Sequence, residues 1–339
     1  VLFRSSAQIL PLLKDDAYVG IVVGIVRPKE RRIFGFGSLN RHRVEKPDGD
    51  TVYPIASVTK TFTGALLADL VLRGIVQLDD PIFRYLPPEI LKPGGSLSGI
   101  TLLDLATHTS GLPKMPNNMT STPPGKEVKP YSVNQLYDFL GYYRLTHTPG
   151  LDFQYSNIGV ALLGHILEIA SRLPYEKLVE DRICRPLGMS STRITPGELM
   201  RARLAEGYDK NLRPVKLQKY AVGMGSGGLY STGNDMLKYL AANLGMSEAD
   251  IVPVLLYGQK PQRPIPDRKA ESIGLTWHIN KVKGRDVVSK NGGIVGFQSF
   301  MAFSRADKVG IIVLANGNPQ NRALDATARR ILRQMLPAQ

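Results

Sequence analysis

Pro54-Ile55-Ala56-Ser57-Val58-Thr59-Lys60 is followed by Thr61-Phe62-Thr63-Gly64-Ala65-Leu66-Leu67-Ala68-Asp69-Leu70-Val71-Leu72-Arg73-Gly74. The second segment is apolar on nearly all sides, which predicts a buried helix rather than a surface one. Gly74 permits the left-handed conformation that stops a helix, and Arg73 suits its negative end. Pro54 stands just outside the start. Ser57 then sits at the helix N-terminus, with Lys60 on the same face and their Cβ atoms roughly 5–6 Å apart. A serine hydroxyl is a poor nucleophile until a base takes its proton. A lysine held against it in a buried site loses its own proton, because desolvation disfavours the charged form. The free N–H groups and positive dipole of the helix start suit an oxyanion. Ser-x-x-Lys occurs once in the chain, at the head of a buried helix where a lysine needs a reason.

The 339 residues suffice for a large core in one or two lobes, and 43% hydrophobic residues is ordinary for a globular protein. No apolar run reaches the length of a membrane span, and Tyr18–Val26 is strand-sized. No secretory signal is visible at the N-terminus. Lys and Arg number 43 against 29 Asp and Glu, a formal net charge of +14. Such a charge attracts anions. The basic residues are scattered, however, with no basic helix, zinc finger or aromatic RNA-binding motif, so nucleic acid is not expected as a partner. The weaker expectation is an anionic cell-wall polymer. Cys184 is the only cysteine, which excludes an intrachain disulfide and reads as a buried thiol. His42, His108, His147, His165 and His278 show no metal-ligand spacing, so neither metal nor cofactor is expected.

Tyr18–Val26 and Arg32–Ser38 read as strands around the turn Arg27-Pro28-Lys29-Glu30. Thr101–Thr107, Ser132–Arg144, Ile158–Arg172, Tyr175–Arg185, Asn234–Leu244 and Arg322–Met335 read as helices, and Pro116 to Pro130 as a long loop. Ala221–Gly228 contains a formal Gly-x-Gly-x-x-Gly without the flanking strand of a dinucleotide site, and reads as a flexible, close-packed loop. Ile273–Val282, Arg285–Ser289, Phe297–Phe303 and Val309–Leu314 read as strands, which leaves Lys290 at a strand end. Strands at both ends around a helical middle predict one antiparallel sheet built from the two termini, with a helical lobe on one side.

Three motifs appear in order: Ser57-x-x-Lys60 before a helix, Tyr155-x-Asn157 at another helix start, and Lys290-x-Gly292 after a strand. The set resembles the serine β-lactamase and penicillin-binding family, whose class A members carry Ser-x-x-Lys, Ser-Asp-Asn and Lys-Thr-Gly. Tyrosine in the middle motif points to class C β-lactamases and their AmpH-like peptidase and esterase relatives. The resemblance covers most of the chain. It extends through Thr101–Pro113, Arg185-Pro186-Leu187-Gly188-Met189, Lys290–Phe297 and Leu314-Ala315-Asn316.

The resemblance implies a mixed α/β (α+β) fold of the β-lactamase/DD-peptidase type. It would form a single catalytic domain, with an α/β lobe of about 1–56 plus 265–339 and a helical lobe of about 57–264. It implies Ser57 as nucleophile, with Lys60 and Tyr155 sharing the proton work and the choice of base left open. A tyrosinate near neutrality needs flanking cations, for which Lys60 and Lys290 are the candidates. Asn157 would bond Lys60 and the substrate amide side chain, and Lys290 a substrate carboxylate. Asn291 and Gly292 complete that motif. Gly293 would join Ser57 in the oxyanion hole, and Asn318 and Asn321 would help bind the carboxylate. Asn291 replaces the usual threonine, Met115 the usual glutamine, and Gly227 the tyrosine that walls the pocket. These departures leave the acylating residues in place. The expected activity is β-lactam opening through a Ser57 acyl-enzyme. The alternatives are a D-alanyl-D-alanine peptidase, a carboxylesterase, and a non-turnover sensor of β-lactams or wall peptides. The implied location is periplasmic or otherwise exported in bacteria, after removal of a signal peptide.

Overall fold

Ten residues of nearly continuous Val, Ile and Gly, Tyr18–Arg27, form β1 and are buried along almost their whole length. The computed structural model describes residues 2–14, 18–42, 45–91, 95–119, 130–215, 224–266, 268, 270–317 and 323–337. The other strands of the main sheet are β2 (Glu30–Gly37), β3 (Arg263–Pro264), β4 (Glu271–Ile273), β5 (His278–Val282), β6 (Arg285–Ile294), β7 (Phe297–Ser304) and β8 (Val309–Gly317). Their order is β2-β1-β8-β7-β6-β5-β4-β3, and every pairing is antiparallel.

Period-2 geometry sends alternate β1 residues to two different cores. Ile21, Val23 and Ile25 pack with Ile9 and Leu12 of helix α1 (Leu2–Lys14) and with Leu324, Ala328 and Ile331 of helix α5 (Ala323–Met335). Val22 and Val26 join a larger core that continues into the helices. Both faces are covered, which is why this strand reads as an unbroken apolar run. The edge strand β2 carries Arg31 and Arg32 and is mostly half-exposed, as a solvated edge should be.

Helix α2 (Thr59–Leu72) crosses the middle of the helical part, and every residue from Thr59 to Leu70 is buried. Gly74 follows it at φ 69°. Helix α3 (Asn157–Ser171) and the single turn Met224–Gly227 pack against it. Gly164 and Gly225 make that approach possible: a Cβ on either would lie 3.2 Å from the other's Cα. The segment read as a flexible loop is therefore, over Met224–Gly227, a helical turn pressed between α2 and α3; residues 221–223 lie outside the described residues. Helix α4 (Gly233–Asn243) covers the sheet beside β1 and β8. No helix among the described residues is long and apolar enough to cross a membrane.

Two strand boundaries differ from the sequence reading. The strand expected to end at Ser289 runs on to Ile294, because Lys290, Asn291, Gly292 and Gly293 pair with Met301, Phe300, Ser299 and Gln298. Neighbouring strands here override the poor strand preference of Asn-Gly-Gly. The strand expected over Ile273–Val282 is split, with Thr276 at φ 70°. The backbone N–H groups of Leu275 and Thr276 bond Gly258 O (2.8 Å) and Ala106 O (3.0 Å), and Thr276 Oγ1 donates to Lys60 O at 2.9 Å. The detour thus satisfies its polar groups on the helical side. Helix α1 was not read from the sequence at all.

That detour also fixes α2. A Cβ on Gly64 would stand 2.3 Å from Leu275 O. Alanine normally stabilises a helix interior relative to glycine by roughly 0.5–1 kcal/mol. Here the overlap reverses the sign: Gly64→Ala is expected to destabilise the fold by about 1–3 kcal/mol, read as a lower midpoint in urea unfolding. A midpoint equal to or above the wild type would refute the close approach.

Candidate active site

Val52–Pro54 pairs with Tyr230–Thr232, and the chain then turns sharply through Ala56–Val58 before α2 begins. Ser57 lies in the middle of this 3₁₀ turn. Ala56, just before it, has φ 45°, a left-handed conformation that costs an L-residue roughly 1–2 kcal/mol. Surrounding contacts hold the turn in place. Ile55 N–H bonds Leu229 O at 2.9 Å, and Ile55 O accepts from Ser299 Oγ at 2.7 Å. A Cβ on Gly292 would lie 2.8 Å from Ser57 N and 2.7 Å from Ile55 O, so β6 passes flush against the Ser57 turn. Only glycine fits there without displacing the backbone.

Lys60 has no exposed surface. Its Nζ donates to Asn157 Oδ1 at 2.8 Å and to Ser226 O at 2.6 Å, and lies 3.1 Å from Ser57 Oγ. Burial pushes its pKa down to about 7. These three contacts satisfy either protonation state. The ammonium donates three hydrogen bonds; the amine donates two and accepts the Ser57 hydroxyl on its lone pair. The arrangement can therefore take a proton from Ser57 without stranding a buried partner.

Tyr155 precedes the N-cap of α3. That cap is Ser156, whose Oγ accepts from Gly159 N–H at 2.8 Å and donates to Pro113 O at 2.7 Å. Asn157 is thus left free to face Lys60, and its amide nitrogen lies 3.4 Å from Met115 Sδ. The Tyr155 ring centre is 5.1 Å from Lys60 Nζ and 4.9 Å from Lys290 Nζ. Lys290 projects from β6, is 1% exposed, and has no hydrogen-bond partner for its ammonium among the described residues. Burial pushes its pKa down to about 8; Tyr155 opposes that fall and Lys60 adds to it.

The fold brings Ser57, Lys60, Tyr155, Asn157, Lys290 and Gly292 together. Gly293 lines the same cleft as Ser57. Asn291 points elsewhere: it is exposed, and its Nδ2 donates to Asp325 of α5 at 2.9 Å, since alternate residues of a strand face opposite ways. Asn318 and Asn321 lie outside the described residues. Two groups escaped the sequence reading. One is Ser226 O, a main-chain acceptor that any residue could supply. The other is His108, fully buried with its ring centre 4.4 Å from that of Tyr155. Its only sequence signal was its place in Thr107-His108-Thr109-Ser110-Gly111. His165 bonds Tyr137 Oη at 2.8 Å and lies 3.3 Å from Glu168, a structural pairing.

The cleft beside Ser57 is bounded by Asn157, Ser226, Gly227 and Gly293 and by apolar Met115, Met119, Tyr131, Ile158 and Ala161. A Cβ on Gly227 would meet nothing nearer than 3.8 Å, so the glycine leaves open space where a larger side chain would wall the cleft.

A β-lactamase family model matches residues 7–335. The D-alanyl-D-alanine-carboxypeptidase/endopeptidase AmpH of Escherichia coli K12 is 32% identical over 321 residues, covering 89% of this chain and 80% of the relative. A β-lactamase of Pseudomonas fluorescens is 25% identical, with 97% of each chain covered. The crystal structure of a class C β-lactamase from Rhodobacter sphaeroides superposes with a TM-score of 0.86, covering 98% of this chain and 99% of that one, at 24% identity. The match over nearly the whole length, joined to a Ser57–Lys60 pair set against Tyr155 and Lys290, shows that this chain belongs to the β-lactamase family.

Proposed function

We propose that the protein is a serine hydrolase that opens the amide of a β-lactam through a Ser57 acyl-enzyme, which water then releases. The observation that carries this reading is a fully buried Lys60 whose amine meets the Ser57 hydroxyl. In this reading Ser57 Oγ bonds to the carbonyl carbon while its proton passes to Lys60 or Tyr155. The N–H groups of Ser57 and Gly293 receive the oxyanion. As the C–N bond breaks, Tyr155 delivers a proton to the nitrogen. Asn157 orients the acyl side chain, and Lys290, a buried cation with no partner of its own among the described residues, takes the substrate carboxylate.

A second reading, D-alanyl-D-alanine carboxypeptidase or endopeptidase, uses the same acylation. The 32% identity to AmpH favours it. Export to the bacterial periplasm accompanies both readings, and the net charge of +14 supports attraction to an anionic wall polymer there.

Intact-mass spectrometry after mixing with benzylpenicillin tests the assignment. Wild type is expected to gain one penicilloyl adduct, and Ser57→Ala none; an adduct on the alanine variant would overturn Ser57 as nucleophile. Rapid clearance of the wild-type adduct marks a β-lactamase, and persistence marks a peptidase or sensor.

The acylation rate is expected to climb with pH through about 7, where Lys60 changes from ammonium to amine. Below that value its lone pair is blocked, so the rate falls tenfold per pH unit. A rate flat between pH 6 and 8 would exclude Lys60 as the base.

Lys290→Ala is expected to lower kcat/KM for carboxylate-bearing substrates by about tenfold to a hundredfold, the value of a hydrogen bond to a charged group at roughly 1.5–3 kcal/mol. Hydrolysis of p-nitrophenyl acetate, which has no carboxylate beside the ester, should fall much less. Equal losses would place Lys290 in the shared chemistry instead of the anchoring of substrate.

A further inference from the structure

His108 is the neighbour of Tyr155 to which the mechanism assigns no step. It is fully buried, at φ 59°. Few non-glycine residues adopt that backbone, though His and Asn do so more readily than most. Three contacts tie it to the segment that carries the tyrosine. Its carbonyl accepts Gln154 N–H at 2.7 Å, and its Nδ1 accepts Ser156 N–H at 3.2 Å. Its ring lies against the Tyr155 ring at 4.4 Å between centres, tilted by 38°. Phe153 meets the His108 ring edge-on at 5.8 Å between centres.

The backbone bond to Nδ1 fixes a neutral tautomer with the hydrogen on Nε2. Burial, then the charges of Lys290, Lys60 and His278, hold the imidazole well below its ordinary pKa. The carboxylate of Asp104, on the same stretch, is engaged by Arg263 at 2.7 Å and by Thr101 N–H at 2.9 Å. A proton on His108 would put a third cation beside the two lysines that flank Tyr155.

We infer that His108 is the positioning residue for Tyr155: it fixes the ring between Lys60 and Lys290 and exchanges no proton itself. The inference rests on the reading of Tyr155 as a proton-transfer group. One clamp is made by the imidazole face and another by the Nδ1 acceptor, so they can be separated. Asparagine tolerates the left-handed backbone and offers an oxygen near the Nδ1 position, but has no ring.

The test is a double-mutant cycle on the acylation rate at saturating benzylpenicillin, repeated with p-nitrophenyl acetate as acyl donor. His108→Asn is expected to slow acylation tenfold or more in the wild-type background, with KM little changed. In a Tyr155→Phe background it should cost less than twofold, because there is no phenol left to place. An equal loss in both backgrounds, or no loss in either, overturns the positioning role. No loss from Tyr155→Phe alone overturns the proton-transfer reading, and this inference falls with it. Should His108→Asn fail to fold, nitrogen NMR of histidine-labelled wild type decides. The His108 ring is expected to keep the neutral Nε2–H tautomer where a free imidazole, with a pKa of about 6.5, is already protonated, and a ring that titrates at that ordinary value overturns the proposal.

Discussion

A lysine with no exposed surface must have its hydrogen bonds supplied by the chain around it, and at Lys60 one neighbouring and two distant segments supply them. Ser57 comes from the turn before α2, Asn157 from the start of α3, and Ser226 O from the helical turn pressed between those helices. An isolated ammonium in that position would be several kcal/mol out of balance. The three acceptors make the position tolerable, while burial keeps the ammonium and amine forms close in energy near neutral pH. The same requirement explains the glycines nearby. Gly164 and Gly225 let α3 and the Met224–Gly227 turn meet, and that meeting is what delivers the Ser226 carbonyl.

The sheet contributes through closeness instead of through polar side chains. β6 lies so near the Ser57 turn that Gly292 has no room for a side chain, and Ser299 on β7 holds the Ile55 carbonyl. These contacts offset the cost of the left-handed Ala56. Strain at such a turn survives only where the surroundings over-determine it. Here both the sheet and the helical part do so, and the serine hydroxyl is presented at their junction. Lys290 enters from the same strand. Its position inside the strand, instead of at its end, gives the ammonium a fixed direction.

Local chemistry made part of this legible. Ser57 and Lys60 stand three residues apart at the entry to α2, and the apolar character of α2 announced its burial. The strands of both termini were visible because their residues are β-branched and aromatic, and their turns polar. What escaped was set by tertiary contact. Lys290 seemed to end a strand because Asn291-Gly292-Gly293 are poor strand formers, yet the pairing with β7 decides the matter. Asn291 shared a motif with Lys290 but faces Asp325, a consequence of register. The Ser226 carbonyl carries no residue identity. His108 showed no metal-ligand spacing in the sequence, and nothing short of the folded chain puts its ring on Tyr155. The β-lactamase relationship itself came from resemblance, carried by the order and setting of three short motifs that are each weak alone.

The pairing of β1 with β8 bears on how this molecule is made. Ile21 sits opposite Ala315, and Val23 opposite Val313. During synthesis at roughly 5–20 residues per second, β1 emerges tens of seconds before its partner exists. The hairpin with β2 can cover one edge, but the other edge, along the most apolar stretch of the N-terminal region, has no partner until β8 has been made. Exposed strand edges of this kind recruit other chains. Yield at high expression should accordingly be governed by the protection of this early hairpin as much as by the final stability of the native sheet. Slower, cooler synthesis or a holdase chaperone would then raise recovery without altering the folded protein.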